Sequence, residues 1–241
     1  MSGLKYYISK LKGSPLGLIK RTFLKTIIEP FKYGKKDGYK ADRYWQDRFL
    51  KYGNSILGPG DETFSAEDNY KMYNEAKRIF TEELKKENLD FDKIKALEIG
   101  CGHGHYTKIL QELGVKNHTA IDITDVLFEK HREHFPGFKF IKKDVSQEQI
   151  EGQFDLIVMI DVIEHIVEEN KFRYAMNNIK NALAPGGIFL LTPVAQKTKK
   201  HLYYVKFWSL QDIRRCFDGY TFEKLIPFRI SHLLTIKNNR S

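Results

Sequence analysis

Apolar positions change their period along this chain. From about residue 94 onward, short runs rich in Ile, Val, Leu and Phe alternate with segments whose apolar residues recur every three or four positions. That alternation is the pattern of strands wound with helices into a parallel sheet. The apolar runs predict strands at 95–99, 118–123, 138–142, 154–160, 187–193, 221–229 and 232–237. Helices are predicted at 106–113, stopping at Gly114, at 125–134 after a Thr124 cap, at 164–183, ending before Pro185-Gly186-Gly187, and at 209–217. The last two runs are separated by a short connection, so an otherwise parallel sheet closes on an antiparallel strand. The expected fold class is therefore α/β: a doubly wound seven-stranded sheet, mostly parallel with an antiparallel C-terminal strand, helices on both faces, and an N-terminal helical extension.

The extension divides in two. In residues 1–40, Leu16, Ile19, Phe23 and Ile27 recur at helical spacing with Lys20, Arg21 and Lys25 between them, and Ser14-Pro15 is a helix start. Residues 41–92 form an aromatic-rich helical cap region, in which Gly58-Pro59-Gly60-Asp61 is a loop leading to a helix that runs to about Lys86. Residues 93–241 make the main domain.

At 241 residues the chain suits one α/β domain plus this extension. No window approaches the roughly 18 uninterrupted apolar residues of a membrane-crossing helix, and the N-terminus lacks a signal peptide's apolar stretch. Cys101 and Cys216 lie too far apart for a CxxC pair, and a reducing cytoplasm is expected. The net charge of +9 is local: residues 1–40 hold ten Lys and Arg against Glu29 and Asp37, leaving the body nearly neutral. An anionic surface, if one is met, is met by the arm.

The segment Glu98-Ile99-Gly100-Cys101-Gly102-His103-Gly104 carries the chemistry. A strand runs into three alternate glycines and then a helix. Glycine allows positive φ and close approach by a ligand, and the helix start offers free N–H groups, so the loop cradles part of a nucleotide-like cofactor. A dinucleotide fingerprint, GxGxxG, is not met, because His105 and Thr107 stand where it needs glycine. Asp122 ends the next strand, 22 residues after Gly100, near the offset at which an acid takes ribose hydroxyls.

The GxGxG spacing with an acid two residues before it resembles motif I of the class I S-adenosylmethionine-dependent methyltransferases, over roughly the last three fifths of the chain. The resemblance implies S-adenosyl-L-methionine as cofactor. It places Glu98 near the cofactor's amino group, Gly100, Cys101, Gly102 and Gly104 in the cradle, and Asp122 with Ile123 at the sugar. It further implies that Asp144 and Val145 lie near the adenine, with the backbone at Ile160 and Asp161 facing the methionine part. Leu183-Ala184-Pro185-Gly186-Gly187 matches the turn before the family's fifth strand, and the closing strands match its antiparallel seventh. Cys101 is expected to pack rather than to attack, and His103 and His105 are assigned no chemistry.

His165, just beyond the fourth strand, is the candidate general base. Tyr44, Trp45 or Phe64 could cover the cofactor and favour its sulfonium. The expected acceptor is a small molecule or saccharide-like compound, methylated at oxygen. Two alternatives stand beside it. Asp161, Glu164 and His165 at i, i+3 and i+4 would share a helix face, and with His201 they resemble the divalent metal site of small-RNA 3′-terminal 2′-O-methyltransferases, although those have a glutamate at the position of Asp161. No metal is assigned, and a neutral body without a basic track makes nucleic acid an unexpected partner. The other alternative is a non-catalytic S-adenosylmethionine-binding module. Residues 1–36 could rest on an anionic membrane face or pack on the domain. No oligomeric state follows from the sequence.

Overall fold

The computed structural model describes residues 23–34, 38–53, 55–59 and 65–239. The helix expected to start at Ser14-Pro15, the end of the Gly58–Asp61 loop, and Phe64 lie outside the described residues. Seven strands follow one another across the main sheet in the order β3-β2-β1-β4-β5-β10-β8. These are β1 (Lys95–Ile99), β2 (Asn117–Asp122), β3 (Lys139–Lys142), β4 (Phe154–Ile160), β5 (Leu183–Thr192), β8 (Thr221–Phe222) and β10 (Ser231–Lys237). The short β9 (Ile226–Phe228) pairs with the start of β10, and β6 (Lys199–Leu202) with β7 (Val205–Phe207) forms a separate hairpin. Strands β1 to β5 pair in parallel, and β10 runs antiparallel to β5 and to β8.

The chain order reverses at β1, whose neighbours β2 and β4 feed crossovers toward opposite edges. A crevice forms outside the carboxyl ends at such a reversal. Among the described residues seven α-helices accompany the strands: α1 (Glu29–Tyr33), continuing a π-helical stretch Leu24–Ile28, α2 (Ala41–Tyr52), α3 (Ala66–Lys85), α4 (His105–Glu112), α5 (Phe128–His134), α6 (Glu169–Ala182) and α7 (Leu210–Cys216).

Both faces of the sheet are covered, and β4 shows how. Ile157 and Met159 point into one cluster with Phe172, Met176 and Ile179 of α6, while Leu156, Val158 and Ile160 point into the other with Phe80 and Leu84 of α3. An alternation that is apolar on both sides is what a central parallel strand requires. Phe80 and Leu84 are fully buried, and each contributes about 2–3 kcal/mol by leaving water.

Four boundaries differ from expectation. The helix expected at 125–134 after a Thr124 cap starts at Phe128, with Leu127 at its N-cap. The helix expected over 164–183 starts at Glu169; before it, Ile163–His165 is a single 3₁₀ turn and Ile166 is non-helical. The run 221–229 splits into β8 and β9. The turn expected at 183–187 falls inside β5, as an irregular stretch where pairing with β4 shifts register between Phe154 and Leu156. Asn238 staples that stretch, its side chain donating to the carbonyls of Leu183 and Ala184.

A second asparagine fixes the rim of the crevice. Asn178 of α6 accepts from Ile150 N (2.7 Å) and donates to the carbonyls of Val145 (3.2 Å) and Glu148 (2.6 Å), tying the segment after β3 to the helix. Replacing it leaves buried backbone groups unpaired, so Asn178→Ala is expected to cost about 1–3 kcal/mol. The urea midpoint should fall with an unchanged slope. A loss below about 0.5 kcal/mol would show that these bonds do not hold the rim.

Candidate active site

A cleft of about 870 Å³ opens over the carboxyl edge of the sheet. Its floor is the β1–α4 loop, where the backbone leaves ordinary space: Gly100, Gly102 and Gly104 have φ of 76°, 49° and 83°. Gly100 is irreplaceable on a second count, because a Cβ there would lie 2.2 Å from Val162 Cγ2. The loop is tied to β2 by Asp122, whose Oδ2 accepts from Gly102 N (3.0 Å) and whose Oδ1 accepts from Thr124 N (3.1 Å). His131 of α5 adds a third tie, its Nε2 donating to Gly102 O at 2.8 Å. Burial pushes the Asp122 carboxyl up to about 6 against the lowering effect of those N–H groups.

The cleft is lined by Gly100, Cys101, Gly102, Asp122, Ile123, Asp144, Val145, Ile160, Asp161 and His165 among the residues expected from sequence. Two expected residues do not line it. Glu98 is buried beneath the loop, accepting from Thr107 Oγ1 (2.6 Å) and lying 3.2 Å from His118 Nε2. Gly104 caps α4 and closes on His131 and Phe135, each 3.1 Å from where its Cβ would be. Both shape the cradle from behind. Asp144 sits at the rim, but its oxygens are taken up locally by Ser146 N (2.9 Å), Ser146 Oγ (2.6 Å) and the Gln147 amide, an Asx-type turn. Cys101 is buried, which raises its thiol pKa well above the ordinary value, and it behaves as a packing residue.

His165 occupies a different wall. Its Nδ1 lies 3.0 Å from the Tyr204 carbonyl; a carbonyl only accepts, so Nδ1 carries the hydrogen and Nε2 presents a bare lone pair. The ring stacks on Tyr204 (5.8 Å, 5°) and meets Trp45 edge-on at 4.9 Å. Burial depresses its pKa to about 4, so it is neutral at physiological pH. Tyr44 and Trp45 of α2 line the cleft as expected. Tyr44 also stacks on Tyr204 (4.9 Å), and Lys25 donates to its hydroxyl at 3.0 Å.

The helix face on which the metal reading relied does not form. Asp161 has φ of 57° and pairs with Arg229, the 3₁₀ turn holds only Glu164 and His165, and His201 is on β6. Among the described residues no three His, Cys, Asp or Glu side chains gather as metal ligands.

Several cleft residues escaped the sequence reading. Arg229, on the β9–β10 turn with φ of 52°, pairs with Asp161 and lies 4.8 Å over the Tyr73 ring. Arg48 braces the Pro59 loop by donating to the Leu57 (3.1 Å) and Gly58 carbonyls. Nothing in local spacing marks either. Glu164, considered only as a metal ligand, is buried with Oε2 unpartnered, and burial pushes its carboxyl up to about 8.

A glycine-floored crevice at the reversal of a parallel sheet, closed by an antiparallel strand, defines a class I methyltransferase-type fold. A family profile described as "Methyltransferase domain" matches residues 69–225, and the chain belongs to that family. It is 29% identical over 113 residues to a malonyl-[acyl-carrier protein] O-methyltransferase of Bacillus anthracis, covering 46% of this chain and 41% of that protein. It is 26% identical over 125 residues to a ubiquinone biosynthesis O-methyltransferase of Rickettsia bellii, covering 50% of each. The chain thus spans about half the length of the curated relatives it matches. Among solved structures, magnesium protoporphyrin IX methyltransferase from Synechocystis PCC 6803 with bound SAM superposes with a TM-score of 0.63 at 16% identity, covering 85% of this chain and all of that one. The family uses S-adenosylmethionine, and the cleft's left-handed glycines, buried Asp122 carboxylate and volume fit that group.

Glu164 generates a pH test of this geometry. Its carboxyl titrates near 4.5 when unfolded and near 8 when folded, so the folded state holds a proton that the unfolded state gives up. Stability from this group is complete below about 4.5 and lost as pH rises through about 8. Glu164→Gln should melt several degrees above the parent at pH 8.5 and near it at pH 4.5. An equal shift at both pH values would show that Glu164 is not held neutral.

Proposed function

We propose that the chain is an S-adenosylmethionine-dependent methyltransferase acting at oxygen on a small-molecule or saccharide-like acceptor. S-adenosylmethionine would supply a methyl carbon on a positively charged sulfur. In this reading Gly100 and Gly102 leave room for the nucleoside, Asp122 offers acceptor lone pairs to the sugar hydroxyls, and Ile123 and Val145 border the base. The relatives named O-methyltransferases support the choice of oxygen.

The observation that carries the reading is His165: a neutral imidazole, its Nδ1 hydrogen committed to Tyr204 O, its Nε2 free of hydrogen bonds among the described residues, lining the same cleft as Asp122. A hydroxyl oxygen that gains a methyl group becomes a strong acid, so a base of low pKa can take its proton at Nε2. Trp45, Phe49, Tyr44 and Tyr204 give the acceptor side flat walls and keep water out. The two unpaired cysteines support a reducing, cytoplasmic setting.

The N-terminal segment adds a membrane-facing proposal. Phe23, Leu24, Ile27, Ile28 and Phe31 are all exposed, Phe31 by 66%, while Lys25 of the same segment is buried at the cleft. One face thus closes the acceptor side and the other is apolar, next in sequence to Lys20, Arg21, Lys32, Lys35 and Lys36. A basic amphipathic segment of this kind rests on anionic lipid and would present a lipid-linked acceptor to the cleft. No described helix is long and apolar enough to cross a membrane.

Four measurements test these readings. Calorimetry should show binding of S-adenosylhomocysteine, lost at least tenfold in Asp122→Ala, and mass spectrometry should show an acceptor gaining one methyl. His165→Ala should lower kcat by about 10²–10⁴ with little change in cofactor affinity, and the acidic limb of the wild-type kcat/KM profile should fall near pH 4 rather than 6.5. A kcat within threefold of wild type removes His165 as base, and binding without turnover across acceptor extracts favours a non-catalytic module. Flotation with phosphatidylserine-rich vesicles should carry the full chain at low salt, and Ile27→Glu with Phe31→Glu should abolish it. Equal recovery of both proteins removes the membrane proposal.

A further inference from the structure

The cleft also holds polar atoms that the reading above does not use. Four of them are buried without a hydrogen-bond partner: His105 Nε2, Tyr106 OH, Glu164 Oε2 and Arg229 Nε. All four residues line the cleft, and Tyr73 of α3 sits among them. Its ring is 4.9 Å from the His105 ring and 5.7 Å from the His103 ring, with the Arg229 guanidinium 4.8 Å above it. Asp161, the ion-pair partner of Arg229, completes the group. Asp161 and Arg229 are also the two non-glycine residues at positive φ among those described. Strained backbone and unpaired buried polar groups are costly, and they persist where a ligand makes use of them.

Topology says which part of a ligand arrives here. Asp122 ends β2 and Asp144 follows β3, on one side of β1; Asp161 and Glu164 follow β4, and Arg229 precedes β10, on the other side. A ligand with its sugar at Asp122 and its base toward β3 extends its remaining end across β1 toward β4 and β10. In S-adenosylmethionine that end is an amino acid, with one carboxylate and one ammonium. The chain meets it with one guanidinium and two carboxyl groups. Arginine is the side chain suited to paired hydrogen bonds with a carboxylate.

Resting on the cofactor reading above, we propose that Arg229 is the carboxylate clamp for the amino-acid end of S-adenosylmethionine, with Asp161 and Glu164 receiving its ammonium group. The Asp161–Arg229 pair holds the two charges in place when no ligand is bound, and the zwitterion gives each of them an opposite charge to bind.

Calorimetric titration with three probes tests this. S-adenosylhomocysteine carries the whole end, its decarboxylated analogue lacks only the carboxylate, and methylthioadenosine lacks the amino acid. The wild-type chain should bind S-adenosylhomocysteine about 10- to 100-fold more tightly than the decarboxylated analogue. Arg229→Met should lose that factor for S-adenosylhomocysteine while changing methylthioadenosine affinity less than threefold, and Arg229→Lys should recover part of it. Equal loss for S-adenosylhomocysteine and methylthioadenosine in Arg229→Met, or no loss for either, overturns the clamp. Equal wild-type affinity for S-adenosylhomocysteine and its decarboxylated analogue overturns it even if the variant does not fold. A wild-type chain that binds none of the three probes sinks the cofactor reading itself, and a chain that binds them without discrimination sinks only the role of Arg229.

Discussion

A buried carboxylate that must satisfy two backbone N–H groups at once sets the geometry of this molecule. Asp122 joins the end of β2 to Gly102 on one oxygen and to Thr124 on the other, so the glycine loop cannot shift relative to the sheet without unpairing a charge in a poorly solvated place. Gly100 N, bonded to Ile121 O at 2.7 Å, repeats the tie one residue earlier on β2. With the loop held there, Val162 can pack against Gly100 only because no side chain intervenes. The position of the chain leaving β4, and with it Asp161, Glu164 and His165, is a consequence.

Much of this could be read from the sequence because the relevant forces are local. Double-sided burial writes itself as unbroken apolar runs such as 156–160 of β4, and a loop that must turn left-handed three times writes itself as Gly100, Gly102 and Gly104. Asp122 could be found because its role depends on a fixed distance along a βαβ unit. The misjudged helix over 164–183 shows where this stops. Its sequence is compatible with helix throughout, but Glu164 and His165 are held in a single turn by the cleft, His165 through a bond to Tyr204, 39 residues away. Arg229 was invisible for the same reason: its partners Asp161 and Tyr73 lie far off in sequence, and a single arginine in a hairpin turn has no signature. Glu98 was legible as an acid of the loop, yet only the packing of Thr107 and His118 shows that it faces inward.

Part of the polar cost of the fold falls in the cleft. Among the described residues the cleft collects a neutral carboxylic acid, a neutral imidazole and a guanidinium with an unused N–H. Asn178 and Asn238 act outside the cleft: each pairs buried backbone groups, after β3 and at the start of β5, that would otherwise be left without partners.

The hydrogen bond from His165 to Tyr204 has an evolutionary implication. Tyr204 lies in the β6–β7 hairpin, which falls between β5 and α7 and lines the cleft, and its carbonyl dictates which nitrogen of the proposed base is protonated. Changing acceptor preference by remodelling that hairpin would therefore also reset the tautomer. On the proposed reading, selectivity and reactivity would be coupled, and a graft of the hairpin from a relative would act on both.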